Sequence, residues 1–571
     1  MTAQWTFVLC DALAKVHPTR DPRPVAAATR FQPFLGEPAS FQLAYRPPTE
    51  SAQVDSAQVD SAPRDPAPGD PAPGDPALRD PGGLSVRVEG SAADLVTVSA
   101  VDLVQCDLLA FPEHDDGYEF DEPGLYPDVL RPIPTGETSV RPGEWAALWF
   151  DVSTTDPARA GRHDLTVVLS TPDGTELHRQ QVTVELTGIE LPALDIVSSH
   201  WMHVDSLADH YGVEVFSEEH WALVDRFMAS AAEMGATSLL TPVWTPPLDT
   251  AVDSYRTVVQ LIGITTTDDG YRFGFDKLRR WLELCRRNGI TGVEVAHLFT
   301  QWGAKATPGI VVNGQRAFGW DVDAIDPQYR QLMEALLPAL QTVLDEEWDR
   351  DHVVFHISDE PSGEEGLASY LAAKAVVADL LKGWTLVDAL SEHSFWTSGA
   401  VPLPVVATDH VEPFLKERPE RLWVYYCVSQ NRDVANRFIG MPSARNRAIG
   451  HQLFASGVDG FLHWGFNFWY TQYSVRQVDP FTETSAGGAF PSGDPFIVYP
   501  GTDGTPWPSL RHRVFAQAIW DHRALQAVRA RHGLDAALDL IDPDRTLHFN
   551  RPVLDPDHYY QARQRMVAAL T

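Results

Sequence analysis

From the first residues to about 190, apolar positions come in short runs with a period near two, at 41–45, 84–88 and 146–152, each bounded by Gly, Pro, Asp or Ser. That is the pattern of half-buried strands. The runs at 165–170 and 181–186 flank Pro172-Asp173-Gly174, where Asp-Gly supplies the backbone freedom of a tight turn, and so predict a hairpin. Many short strands joined by turns predict a β-sandwich over 1–190.

Near Leu191-Pro192-Ala193-Leu194 the period changes. Strand-like runs at 198–204, 238–241, 291–297, 353–357, 385–389, 405–408, 422–426 and 460–464 are separated by amphipathic stretches, among them 219–234, 276–288, 327–347, 367–381 and 445–455. Eight strands with intervening helices predict a closed (β/α)8 barrel of the TIM type over 195–530, followed by a helical extension over 531–571. The fold class expected is therefore multidomain, all-β followed by α/β.

One segment has neither period. Residues 51–80 are pentapeptides ending in aspartate, such as Ser-Ala-Gln-Val-Asp and Pro-Ala-Pro-Gly-Asp. This composition is unable to bury a core, so 51–82 is expected to be a disordered acidic insertion between two strands.

The fourth barrel run ends in His356-Ile357-Ser358-Asp359-Glu360-Pro361. In parallel barrels chemistry gathers at the C-terminal ends of strands. Alternation sends Asp359 and Glu360 to opposite faces while the strand is regular, and Pro361 is expected to end the ladder so that both acids reach one substrate. The competing structural reading is a helix N-terminus, where acidic residues meet the positive end of the dipole.

Composition narrows the substrate. Lys and Arg total 44 against 78 Asp and Glu, a net charge of −34; this field repels polyanions and argues against nucleic acid or an anionic membrane as partner. The four cysteines, Cys10, Cys106, Cys285 and Cys427, show no paired spacing and are expected to be reduced and buried. The start of the chain lacks a basic segment followed by an apolar core, and no apolar run reaches membrane-spanning length, so a soluble cytoplasmic protein is expected, with oligomerisation left open.

The strand ends collect His203, Trp244, His297, Asp359, Glu360, Asp388, Glu392, Tyr425, Tyr426, Trp464, Asn467, Trp469 and Tyr470. Aromatic faces suit the C–H faces of sugars, and acids, amides and imidazoles suit their hydroxyls, so the mixture points to a carbohydrate. His356 is a candidate support for Glu360 or a satisfied core histidine.

At these residues the chain resembles the glycoside hydrolases related to the β-N-acetylgalactosaminidases, a family 123-like group whose catalytic domain is also called the DUF4091 domain. The resemblance rests on His356-Ile357-Ser358-Asp359-Glu360-Pro361, on Asp459-Gly460-Phe461-Leu462-His463-Trp464-Gly465, and on Gly493-Asp494-Pro495-Phe496-Ile497-Val498-Tyr499-Pro500-Gly501 followed by Pro508-Ser509-Leu510-Arg511. It implies an exo-acting, substrate-assisted retaining enzyme without cofactor. Asp359 would orient the 2-acetamido group, Glu360 would act as acid and then base, and Tyr425, Tyr426 or Tyr470 would donate to the acetamido carbonyl. Adjacent carboxylates fit this chemistry better than an ordinary retaining pair, which needs two acids about 5–5.5 Å apart across the bond. With no export signal, imported oligosaccharides or small glycosides are the expected substrates.

Three alternatives stand beside it. One is a glycosidase of another sugar specificity on the same barrel, and another is a non-catalytic carbohydrate-binding protein. The third is a metal-dependent hydrolase with His203, His297, Asp359 and Asp388 as ligands. Against a paired histidine site, His200 and His203 are three apart, so strand alternation separates them. No metal is expected.

Overall fold

The computed structural model describes residues 4–49 and 83–571; the repeats at 51–80, and with them the 51–82 insertion, lie outside the described residues. Contacts divide the chain into two units, Met1–Asp102 with Leu130–Glu190, and Leu103–Val129 with Leu191–Thr571. The segment Leu103–Val129, grouped with the second, includes the end of strand Val96–Cys106 and the start of strand Gly124–Pro132.

The first unit is antiparallel. One sheet runs in the order Thr6–Asp11, Ala39–Arg46, Ala146–Val152, Val96–Cys106, Gly124–Pro132, and the other in the order Glu137–Ser139, Gly83–Gly90, Gly161–Ser170, Glu176–Leu186. Alternate side chains of both sheets, among them Phe41, Leu43, Leu148, Phe150, Val167 and Val184, share one apolar cluster. The Asp173-Gly174 turn forms as its sequence requires: Gly174 adopts φ 89°, and Asp173 Oδ1 accepts from Thr175 N at 3.0 Å. Leu165 then pairs with Val182 in an antiparallel ladder.

The second unit is built on a closed parallel barrel. Its strands are β1 (Val197–His200), β2 (Ser238–Thr241), β3 (Gly292–Val295), β4 (Val353–Phe355), β5 (Thr385–Leu390), β6 (Leu403–Ala407), β7 (Trp423–Tyr425) and β8 (Gly460–His463). They fall on the eight runs read from the sequence, and β1 closes on β8 with Val197 opposite Gly460 and His200 opposite His463. Inward positions alternate along each strand and fill the interior: Leu240, Val354, Val387 with Ala389, Leu403 with Val405 and Ala407, Trp423 with Tyr425, and Leu462.

Local signals set the surrounding helices. The helix Pro327–Glu347 starts with proline at its first turn, while the Asp326 side chain accepts from Gln328 and Tyr329 N–H groups, filling donors that a helix start leaves open. Two glycines allow close approach. A Cβ on Gly460 would lie 2.5 Å from the Trp423 ring, and one on Gly450 would lie 2.1 Å from the Ala518 carbonyl oxygen. The second contact joins helix Ser443–Ser456 to helix Leu510–His532. Among the described residues no helix is long and apolar enough to cross a membrane, and all four cysteines are free and buried.

Candidate active site

Strand β4 ends at Phe355, earlier than its apolar run suggested, yet the chain beyond it stays ordered because neighbours on both sides take up its backbone. Leu298 N donates to His356 O, Phe299 N to Ile357 O and Trp302 N to Asp359 O, at 3.0, 2.9 and 2.9 Å. Asp388 of β5 accepts from Ile357 N at 3.0 Å and Ser358 N at 3.3 Å, and also from the Tyr370 hydroxyl at 2.5 Å. Ser358 Oγ donates to Thr300 O at 2.8 Å.

This clamp delivers Asp359 and Glu360 side by side to one cavity. Glu360 has φ 44°, left-handed backbone rather than the extended geometry expected before Pro361, which stores roughly 1–3 kcal/mol of strain at a non-glycine residue. The acids do not cap a helix. The following helix starts at Gly363 and its N-cap Ser362 makes no side-chain cap bond; Gly363 N donates to Glu392 Oε1 at 2.7 Å instead.

The cavity, about 310 Å³, is lined by Trp201, Asp249, Gln301, Trp302, Tyr425, Leu462, Trp464 and Tyr473 together with Asp359 and Glu360. Tyr425 Oη donates to Glu360 Oε1 at 2.6 Å. Burial raises the Glu360 carboxyl above the usual carboxylate range against the pull of the Tyr425 hydrogen bond. Burial, then the Glu360 charge, raises Asp359 well above it, while His356 opposes this. Burial thus disfavours the charged form of both carboxyls, and His356 draws Asp359 part of the way back towards its anion.

His356 is the counter-charge. Burial works against its cation, but Asp388 and Glu294 outweigh burial and raise it to about 9. Its Nε2 donates to Glu294 Oε2 at 3.2 Å, and its Nδ1 lies 3.4 Å from Asp388 Oδ1. Trp201 Nε1 also donates to Glu294 Oε2, at 3.0 Å, tying a cavity wall to the same network.

Of the residues read from the sequence, Asp359, Glu360, Tyr425 and Trp464 line the cavity. Tyr425 spends its hydroxyl on Glu360. Trp464 Nε1 donates to Asp494 Oδ2 at 3.1 Å, which gives the Gly493-Asp494-Pro495 motif a supporting role. The others lie behind this layer. His297 is fully buried and stacks on His356 at 4.5 Å, and Trp244 Nε1 donates to His297 O at 2.9 Å. Asn467 clamps the backbone of His203, accepting from its N–H at 2.8 Å and donating to its carbonyl at 3.0 Å.

Tyr426 turns away from the cavity and packs on Phe461 and His463. Trp469 donates to Val498 O at 3.3 Å beside Phe227, and Tyr470 donates to Asp209 Oδ2 at 2.6 Å. These buried or engaged groups support the site rather than line it. Glu392 is exposed and caps a helix.

The four residues considered as metal ligands are not gathered. His203 receives Arg256 Nη2 on Nδ1 at 3.0 Å and donates from Nε2 to Trp464 O at 2.9 Å, so both ring nitrogens are engaged. His297, His356 and Asp388 do bring ligand atoms within 4.8 Å of one another. Asp388, however, already accepts from two backbone amides and a tyrosine, and His356 is held between two carboxylates, an arrangement suited to a proton rather than a cation.

Sequence reading missed Trp201, Asp249, Gln301, Trp302 and Tyr473. Trp201 directly follows β1 and points inward with its strand neighbours. The rest sit in long connections after β2, β3 and β8, where no period marks them.

Residues 201–528 match the family model of the glycoside hydrolase 123 catalytic domain. A family 123 glycoside hydrolase from Clostridium perfringens, described for glycolipid glycan hydrolysis, superposes with a TM-score of 0.72 at 10% identity, covering 99% of this chain and 97% of its own. A GH2 β-galacturonidase from Eisenbergiella tayi gives a TM-score of 0.31 at 14% identity, with coverage of 76% and 72%. A β-D-glucuronidase from Dictyoglomus thermophilum gives 0.32 at 10%, with coverage of 76% and 68%. No curated protein sequence matches the chain.

Proposed function

The chain belongs to the glycoside hydrolase 123 family and is a glycosidase, and from that premise we propose that it is an exo-acting β-N-acetylgalactosaminidase with a substrate-assisted retaining mechanism. The observation that carries this reading is the placement of two consecutive acids, Asp359 and Glu360, on one cavity wall with His356 behind them. Acids so close leave no room for a sugar ring between a separate nucleophile and acid, which suits chemistry in which the substrate supplies its own nucleophile.

In this reading the 2-acetamido oxygen attacks the anomeric carbon as the bond to the leaving oxygen breaks. Glu360, whose carboxyl burial raises, gives its proton to that oxygen. Asp359 accepts the acetamido N–H and stabilises the positive charge of the oxazolinium ion that results. Water then attacks the anomeric carbon, Glu360 takes its proton, and the amide is restored with net retention. A cavity of about 310 Å³ is near the lower limit of ligand sites and suits the end of a chain rather than a polymer threaded through it, hence the exo action. The C. perfringens relative is described for glycolipid glycan hydrolysis; together with the amide mechanism proposed here, a glycolipid glycan ending in a 2-acetamido sugar is the substrate class to test first.

The test compares an aryl 2-acetamido-2-deoxy-β-galactoside with the aryl β-galactoside lacking the amide. Wild type is expected to cleave only the first, and Glu360→Gln to lower kcat by about 10²–10⁴-fold. Equal cleavage of both substrates refutes amide participation. Negligible turnover by both proteins indicates sugar binding without catalysis.

A further inference from the structure

The residues lining the cavity differ in exposure. Among the described residues, the large apolar side chains left substantially exposed include two aromatics, Trp302 at 44% and Tyr473 at 40%. Both line this one cavity. Their ring centroids are 5.8 Å apart with planes at 86°, so they form a corner rather than a closed stack.

Neither ring is exposed by slackness of the chain. Trp302 has φ 59° and Tyr473 φ 60°, left-handed conformations that a bulky side chain holds only when its surroundings impose them. Trp302 N donates to Asp359 O at 2.9 Å, which ties the backbone beneath this ring to that of the first acid. Tyr473 N donates to Asp249 Oδ2 at 3.1 Å, and Ser474 Oγ donates to Asp249 O at 2.7 Å. Asp249 is itself left-handed at φ 38°, and its N–H donates to Gln301 Oε1 at 2.5 Å. The two rings are thus fixed at the mouth by strained, hydrogen-bonded backbone, although exposing them is costly in water.

Core packing leaves that expense unexplained, whereas a ligand ring explains it. Trp201 and Tyr425 in the same lining are buried, so the exposed Trp302 and Tyr473 mark where the cavity opens to solvent. Taken with the glycosidase reading above, on which this inference rests, we propose that Trp302 and Tyr473 form an aglycone subsite in which the leaving pyranose packs a C–H face on the aromatic corner and offers its hydroxyls to Asp249 and Gln301. The combination of two apolar faces with an adjacent carboxylate and amide selects a sugar over an alkyl chain, which has no use for the polar pair.

The experiment uses the full chain and its Trp302→Ala, Tyr473→Ala and Trp302→Phe variants, with unchanged melting temperature as the folding control. Substrates are a disaccharide with a terminal β-linked 2-acetamido-galactose on galactose, the corresponding methyl glycoside, and the octyl glycoside. Each alanine variant is expected to lose kcat/KM on the disaccharide about tenfold more than on the methyl glycoside, and Trp302→Phe to restore most of the difference. Equal losses on both substrates overturn the subsite and leave a structural role. A selective loss confined to the octyl glycoside assigns the corner to an alkyl chain and also overturns it. If wild type cleaves none of the three, the β-N-acetylgalactosaminidase reading falls and the subsite with it, an outcome distinct from turnover that ignores the two rings.

Discussion

A fully buried histidine is ordinarily driven neutral, as burial does to His200, His203 and His297. His356 is the exception because its ring lies between Glu294 and Asp388, which outweigh burial and raise it to about 9 from 6.5. A folded value above the unfolded one means that the native state holds the proton more tightly. The resulting stabilisation is complete below about 6.5 and lost as pH rises towards about 9, with a magnitude on the order of 3 kcal/mol. Thermal unfolding followed from pH 6 to 9.5 is expected to show a falling melting temperature in wild type and a flatter one in His356→Gln; parallel curves would refute the buried cation. Catalysis reports the other side of the network. Tyr425 donates to Glu360 and thereby favours its anion, so Tyr425→Phe should raise the carboxyl further. Because the acid must be protonated to act, the alkaline limb of the kcat profile moves to higher pH; a limb that stays fixed or moves down contradicts the assignment.

At the scale of elements, close packing rather than chemistry sets the tolerance to change. Gly450 lets helix Ser443–Ser456 meet helix Leu510–His532 with no side chain between, and a Cβ there would lie 2.1 Å from a backbone oxygen that has no rotamer to escape through. Gly450→Ala is expected to destabilise by about 1–3 kcal/mol, read as a lower denaturant midpoint at unchanged slope, despite alanine's better helix propensity; a stabilised variant would show that the helices separate freely. The same two layers of burial explain what the sequence makes legible. Barrel strands covered on both faces appear as apolar runs, and their alternation separates Tyr425, inward with Trp423 and Cys427, from Tyr426, which packs on Phe461 and His463. The acids stand at the end of such a run. Asp388 is readable as a strand-end acid but not as a clamp, because its role is to hold backbone amides 30 and 31 positions away. Asp249 and Tyr473 are joined across 224 positions by connections without period, so nothing local marks either as a cavity residue.

For the molecule as a whole, the excess of acids carries into the site. The chain has a net charge of −34, and among the described residues lining the cavity are Asp249, Asp359 and Glu360 but no lysine or arginine. An approaching anion therefore meets repulsion both at a distance and at the wall, where the low dielectric of a half-enclosed site strengthens it. Neutral sugars feel neither. Salt separates these cases because the screening length shrinks from about 30 Å at 0.01 M to about 8 Å at 0.15 M, less than the extent of the surface field. For a neutral 2-acetamido-galactoside, kcat/KM should change less than about twofold over that range, whereas a 6-sulfated analogue should start lower and rise steadily with added salt. A sulfated substrate preferred at low salt would require a cationic receptor that the cavity wall does not contain, and would remove charge as the basis of its selectivity.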